Sequence, residues 1–88
     1  MSIEDAMYKN KEKTGRNNCC GYKIAALRKK HNPFLSQRAL ANELQDVEID
    51  LDKNAIQRIE SGKRFVTDIE LRAFAEYFKT TMENLMDD

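Results

Sequence analysis

The sequence predicts an all-α fold on three grounds. Only one Pro and three Gly occur among its 88 residues, so few positions disfavour a helix. Apolar residues recur three and four positions apart in several segments, which is the spacing of one helix face. Thr followed three residues later by Glu, a combination typical of helix N-termini, occurs twice near the C-terminal end. A chain of this length is expected to form one domain with a small core.

Residues 1–18 are predicted to be a poorly ordered tail, and residues 19–88 are predicted to be the helical domain. The tail is polar and lacks a periodic apolar face. A basic arm that reaches along DNA is the alternative, because four cations lie close together: Lys9, Lys11, Lys13 and Arg16. Three acidic residues nearly cancel this charge: Glu4, Asp5 and Glu12. The disordered tail is therefore the favoured interpretation.

The first helix is predicted over residues 20–30. Ile24 and Leu27 are three positions apart and face inward. Pro33 closes the segment, because it has no N–H with which to continue a helix. The basic residues of the last turn are placed on the solvated face: Arg28, Lys29 and Lys30.

The second helix is predicted from Ser36 to Gln45. The Ser36 hydroxyl can accept a hydrogen bond from a free N–H of the first turn, as an N-cap does. The inward face of this helix consists of Leu40, Ala41 and Leu44.

An acidic connector, residues 45–51, leads to the third helix. Four acids fall within seven positions: Asp46, Glu48, Asp50 and Asp52. Because carboxylates repel phosphate, we expect the connector to bulge away from any bound duplex. The apolar residues that alternate with the acids are expected to hold the connector against the core: Val47, Ile49 and Leu51. The glycine and terminal glutamate of a calcium-binding loop are missing, so no metal site is predicted here.

The third helix is predicted from Asp52, as N-cap, to Ser61, and Gly62 is the left-handed residue that ends it. Ile56 and Ile59 form its inward stripe. The remaining surface carries four polar residues: Lys53, Asn54, Gln57 and Arg58. Lys and Arg can pair with guanine, while Asn and Gln present the donor and acceptor that match adenine. On periodicity alone, an ordinary solvated helix surface is the favoured interpretation.

The two Thr-x-x-Glu sequences begin the fourth and fifth helices. Thr67 and Glu70 predict a capping box for a helix over residues 68–78. Thr80 and Glu83 predict a second box, for a helix that ends near residue 86. The inward face of the fourth helix is predicted to consist of Leu71, Phe74, Ala75 and Phe78.

The sequence of the central segment resembles that of a known family. LSQRALANEL and then AIQRIESGKRF resemble the XRE or lambda-repressor-like helix-turn-helix family, whose pattern is roughly LSQxxLAxxL followed by xIxxIExGxR. The match is carried by Leu35, Ser36, Gln37, Leu40, Ala41, Leu44, Ile56, Ile59, Glu60, Gly62 and Arg64. The connector between the two segments is longer than usual by about five residues, so the chain resembles a subgroup with a lengthened turn.

The resemblance implies a compact five-helix domain over about residues 21–86 that binds double-stranded DNA and regulates transcription, with repression the expected mode. It implies that the third helix enters the major groove and contacts bases through Lys53, Asn54, Gln57 and Arg58. It also implies phosphate contacts from Ser36, Gln37, Arg38, Lys63 and Arg64. A homodimer on a palindromic site is expected. Glu60 suits a phosphate-facing surface poorly and is expected to pair with Arg64 or with an arginine of the first helix.

The charges are unevenly distributed, although their formal sum is zero. Residues 22–64 contain nine Lys and Arg against six Asp and Glu, whereas residues 65–88 contain two against six. This asymmetry is what a domain with a DNA-facing side and an acidic opposite side would show.

Several other functions are not indicated by the sequence. It holds one His and no Ser-His-Asp arrangement or phosphate-binding glycine loop, so we predict neither an enzyme, a cofactor nor a metal site. Cys19 and Cys20 are adjacent and cannot close a long loop. No apolar run approaches the ~20 residues of a membrane span, and no secretion signal is evident, so a cytoplasmic location is expected.

A second function stays open. A protein-interaction module of the same fold, such as an antitoxin or an anti-repressor partner, need not bind specific DNA strongly. Zero net charge and the acidic connector favour this function. The four base-reading side chains of the third helix favour DNA, because an interaction module has little use for all of them together.

Overall fold

Five helices account for most of the residues that the computed structural model describes, 15–86. They are α1 (Gly21–Lys30), α2 (Gln37–Gln45), α3 (Lys53–Glu60), α4 (Asp68–Tyr77) and α5 (Met82–Met86). No strand occurs in this part of the chain, and none of its helices is long and apolar enough to cross a membrane. The predicted all-α fold is confirmed. The expectations for residues 1–14 lie outside the described residues.

The core forms where α1 and α2 pack against α3, and where α4 packs against α5. Its fully buried side chains come from every helix and from the connector: Ile24, Leu40, Leu44, Leu51, Ile56, Ile59, Phe74 and Leu85. Burial of one such side chain contributes about 1.5–3 kcal/mol to folding. Because Ile56 and Ile59 point inward, as predicted, the opposite side of α3 faces solvent.

The predicted caps of α2 and α3 are confirmed. Ser36 Oγ accepts a hydrogen bond from the Ala39 N–H at 3.0 Å, and Asp52 Oδ1 accepts one from the Ala55 N–H at 2.7 Å. Each bond satisfies one N–H that has no partner within its own helix. The two helices on either side of the connector therefore begin where the sequence places them.

Of the two predicted capping boxes, the first is confirmed and the second is wrong. Thr67 and Glu70 make both hydrogen bonds of a capping box at the start of α4. At α5 the cap is Thr81 rather than Thr80, and its Oγ1 accepts from the Asn84 N–H at 3.0 Å. Thr80 lies one residue too early, because its own N–H is used to close the end of α4.

Three helices end in the same way, with a residue in the left-handed region. The angle φ is 65° at Glu48 after α2, 81° at Gly62 after α3 and 56° at Lys79 after α4. In each case the N–H of the next residue donates to a carbonyl five positions back, at 2.8–2.9 Å, which closes the helix end. Gly62 fulfils its predicted role. Glu48 and Lys79 could not be foreseen, because a side chain in this region costs about 1–2 kcal/mol.

The connector touches the core through fewer residues than predicted. Leu51 is fully buried and Ile49 packs against the core. Val47 is 63% exposed, so its predicted anchoring role is wrong. Residues 46–48 form a turn that continues α2 as far as Glu48. Successive side chains therefore do not alternate between the core and solvent there, as they would in an extended segment.

Residues 16–18, which the sequence assigned to the tail, form a strap across the C-terminal end of α3. Their N–H groups and side chains donate hydrogen bonds of 2.7–3.0 Å to the carbonyl oxygens of Ile59, Glu60, Gly62, Lys63 and Arg64. Asn18 is only 3% exposed, and its Oδ1 also accepts from the Gly21 N–H at 2.8 Å. The packed domain therefore begins no later than Arg16.

Gly21 provides a test of this packing, because α1 starts against the end of α3. A Cβ at this position would collide with the backbone oxygen of Ile59 and with strap atoms of Arg16 and Asn18. We expect Gly21→Ala to lower the free energy of unfolding by about 1–3 kcal/mol, as overpacking does. Urea denaturation followed by circular dichroism measures this change.

A matched control is Ala26→Gly, since Ala26 is exposed in the middle of the same helix. This change should cost only about 0.5–1 kcal/mol, through helix propensity. A Gly21→Ala protein as stable as the wild type would contradict the close approach of α1 to α3.

Candidate nucleic-acid interface

The solvent side of α3 brings together the four predicted base-contacting residues. Lys53, Asn54, Gln57 and Arg58 are all exposed. Their separations of one, three and four positions place them on one face of the helix. Ile56 and Ile59, at 0% exposure, lie on the other side. These four residues are the α3 face.

Within residues 15–86, none of the four side chains of the α3 face has a hydrogen-bond or ion-pair partner. The side-chain hydrogen bonds and ion pairs of that region are made by other residues, including Arg28, Glu60, Arg64 and Glu70. The amide and cationic groups of the α3 face are therefore free to bind an external donor or acceptor. Two cations and two amides so arranged match the hydrogen-bonding edges of guanine and adenine.

A shallow depression of about 400 Å³ adjoins the start of α3. It is lined by Asp52, Asn54, Ala55, Arg58 and Arg64. Two guanidinium groups and one amide line it, together with the Asp52 carboxylate that caps the helix. The depression therefore presents donors to an incoming polar group, and Asp52 disfavours an anion at its N-terminal edge.

The predicted phosphate-contacting residues divide into two groups. Arg38 and Lys63 are exposed, at the start of α2 and just beyond the end of α3. Ser36 uses its hydroxyl as the cap of α2 and remains half-buried. Gln37 and Arg64 make internal hydrogen bonds, so a phosphate contact by either residue would compete with those bonds.

Gln37 is half-buried and takes part in a hydrogen-bond network around Glu60. Its Nε2 donates to Glu60 Oε1 at 3.0 Å. Arg28 donates to the same carboxylate through Nε at 2.7 Å and Nη2 at 2.9 Å, and its Nη1 reaches the Leu35 carbonyl at 3.2 Å. The Arg28 and Glu60 side chains are only 9% and 8% exposed. The hydrogen bonds to Glu60 and its charge raise the pKa of Arg28, against the opposing effect of burial.

Two predictions about charge are settled by this network. Glu60 pairs with an arginine of the first helix, as one of the two expected alternatives, and not with Arg64. The predicted solvated position of Arg28 is wrong, because its guanidinium is needed inside to neutralise Glu60. A carboxylate buried without a partner is strongly unfavourable.

Arg64 is held by Glu70 and is therefore a poor candidate for a phosphate contact. Its Nη1 and Nη2 donate to the two carboxylate oxygens of Glu70 at 2.9 and 3.1 Å, and hydrogen bonding to Glu70 raises the pKa of Arg64. Partial burial acts to raise the pKa of Glu70, but Arg64 and the Thr67 N–H together hold it below its ordinary value. A phosphate at Arg64 would compete with this carboxylate for a guanidinium whose side chain is 32% exposed.

Sequence reasoning missed the strap, which holds the C-terminal end of α3. Arg16 lies over the Tyr22 ring, with its guanidinium carbon 3.7 Å from the ring centroid. Asn17 and Asn18 hold the backbone at the end of α3. Two consecutive asparagines shortly before the start of α1 were the available signal, since an Asn side chain commonly accepts from a free N–H at a helix start, as Asn18 does from Gly21.

The adjacent cysteines are both buried, as cysteines with a structural role are. Burial, together with the neighbouring Cys19, raises the pKa of the Cys20 thiol to about 12, so it stays protonated and unreactive. Cys19 Sγ lies 3.6 Å from Met86 Sδ. No group of three or more His, Cys, Asp or Glu able to hold a metal occurs within the described residues.

The Arg64–Glu70 pair predicts a specific pH dependence of stability. Because the pKa of Glu70 is lowered on folding from about 4.5, its contribution is complete above that pH. The contribution is lost as the pH falls through the lower, folded value. We therefore expect the stability difference between the wild type and Glu70→Gln to be constant near neutral pH and to shrink below about pH 4.5.

Urea denaturation at a series of pH values measures this difference. Arg64→Gln removes the same pair from the other side, and its stability difference from the wild type should also shrink as Glu70 is protonated. A difference that is independent of pH down to full protonation of the carboxylates would refute the charge contribution.

Comparison of the chain with protein-family models, with curated proteins and with solved structures found no match.

Proposed function

We propose that this protein is a sequence-specific DNA-binding regulator of transcription that reads the major groove with α3. The main support for the proposal is the exposure of the α3 face. Four side chains with base-reading chemistry are exposed together, and none is used for internal bonding within the described chain. The resemblance of the sequence to lambda-repressor-like proteins points to the same function and to repression as its mode.

One internal ion pair removes an acid from the surface beside the α3 face, and the other occupies the guanidinium of Arg64. Glu60, the acid nearest the α3 face at its C-terminal end, is neutralised by Arg28 and is 8% exposed at its side chain. Lys53, Arg58 and Lys63 are exposed cations along and just beyond α3. In the proposal Lys63 and Arg38 contact phosphates, which positions the α3 face over the bases.

We further propose that two copies bind one palindromic site. A single eight-residue helix reads only a few base pairs, and paired helix-turn-helix units gain specificity by entering successive major grooves ~34 Å apart. Selection of bound sequences from a random duplex pool tests both proposals. Enrichment of a palindrome supports the regulator and the dimer, whereas enrichment of one half-site supports the regulator alone.

A protein-interaction module is the second candidate, and the connector is the observation that favours it. Its acids Asp46, Glu48, Asp50 and Asp52 are all exposed, next to the start of α3, where they repel phosphate. The salt dependence of binding separates the candidates. Each phosphate neutralised should steepen the dependence of log affinity on log salt by about 0.9, so a flat dependence and no enriched sequence favour the interaction module.

Replacement of single residues on and beside the α3 face should affect binding in two different ways. Arg58→Ala should weaken binding to the selected duplex by about 1–3 kcal/mol and relax base preference at one position. Lys63→Ala should weaken binding to all duplexes alike and lower the salt slope by about 0.9. Titrations of selected and scrambled duplexes at several salt concentrations measure both effects.

Lys30→Ala is a suitable control, because Lys30 is an exposed cation at the end of α1 with no proposed contact. If Arg58→Ala lost equal affinity for selected and scrambled duplexes, its proposed contact with a base would be wrong.

A further inference from the structure

The exposed side of α4 carries a row of side chains that no other described part of the chain covers. Ile69 is 70% exposed, and Phe65, just before the helix, is 60% exposed. Asp68, Arg72 and Glu76 are exposed beside them. At 100° per residue the four helical positions span about 100° of the helix surface, with the buried Phe74 on the opposite side. These five residues are the α4 face.

The α4 face differs from the other exposed apolar positions of the described chain. Those are Tyr22, Phe34 and Val47. They belong to three separate segments, and the Tyr22 ring is covered by the Arg16 guanidinium. Single exposed apolar residues are ordinary. By contrast, Ile69 on α4 and Phe65 just before it are two large exposed apolar residues only four positions apart.

The charges on this face are self-complementary. Asp68 and Arg72 are one helical turn apart, and Ile69 lies between them along the sequence. Within residues 15–86 the only ion pairs are Arg28–Glu60 and Arg64–Glu70, so Asp68 and Arg72 are available to another molecule. When two such helices meet antiparallel about a two-fold axis near residue 70, Asp68 of each copy faces Arg72 of the other. Ile69 then lies next to the axis, and Glu70 is turned away in its pair with Arg64.

We propose that the α4 face binds the α4 face of a second copy when two copies occupy one palindromic site. The inference rests on the proposed DNA-binding function and assigns the surface that joins the copies. A two-fold contact requires that each residue and its counterpart exchange roles, and the Asp68–Arg72 arrangement meets this requirement. Phe65 follows the last residue of α3 by five positions, so the contact lies close to the end of each recognition helix.

The size of the α4 face determines when the contact forms. Five residues a side are far fewer than the roughly 20–30 of a stable interface, so free protein at micromolar concentration is monomeric. Two copies on adjacent half-sites have an effective concentration of about the millimolar range. The contact therefore shows as cooperative binding to the palindrome.

The test compares binding to the selected palindrome with binding to one of its half-sites. We expect the wild type to bind the second half-site about 5- to 150-fold more tightly than the first. Asp68→Arg alone, Arg72→Asp alone and Ile69→Asn should each reduce this ratio to near one. The double variant with Asp68→Arg and Arg72→Asp should restore it, because both cross-pairs are re-formed with exchanged signs.

Two controls separate this contact from DNA reading and from folding. All these variants should remain folded and bind the single half-site as the wild type does. Phe34→Ser removes an aromatic side chain that is 71% exposed on another segment and should leave cooperativity unchanged. Wild-type binding without cooperativity, or full cooperativity in Asp68→Arg, would overturn the proposal.

Failure of DNA binding itself would be recognised by loss of half-site binding in the wild type. Sedimentation of the free protein at up to about 1 mM then tests the α4 face alone. Association that Asp68→Arg abolishes and the double variant restores supports the contact, and a monomer at that concentration overturns it.

Discussion

A charged pair shielded from water joins the ends of α1 and α3 through Arg28 and Glu60. Gln37, the first residue of α2, binds the same carboxylate, so three helices meet at one group. Loss of one partner of a buried pair costs about 3–5 kcal/mol, because the other charge is left without compensation. Since Glu60 is the last residue of α3, this constraint fixes the end of the helix whose opposite side is the proposed DNA-reading surface.

Local signals made much of the fold predictable. Ser36, Asp52 and Thr67 cap their helices within a few residues of themselves, and apolar spacing identified the inward side of α3. The errors arise where a contact joins distant positions. Arg28 is inside because of Glu60, 32 positions away; the sequence left the partner of Glu60 open between Arg64 and an arginine of the first helix, because no short pattern encodes that distance. The four residues of the α3 face were found by their spacing, whereas the internal bonds of Gln37 and Arg64 required the tertiary structure.

Net charge is a poor guide to this surface, because some charges cancel inside the domain. Pairing removes Glu60 and Glu70 from the acids, and Arg28 and Arg64 from the cations, that face solvent. What is left near α3 is a basic helix surface beside an acidic connector. The left-handed Glu48 adds an acid at a helix C-terminus, where the helix dipole disfavours it. The two proposed functions differ in which of these neighbouring surfaces meets the partner.

The strap bears on the order in which contacts form while the protein is synthesised. Its hydrogen bonds join positions 41 to 46 residues apart, so during synthesis the strap emerges long before its partners. Contacts of this separation form only after the intervening chain is closed into a loop. The strap therefore stays without these hydrogen bonds on the ribosome until residues 59–64 have emerged, and a chain stopped short of them cannot bind its strap at all.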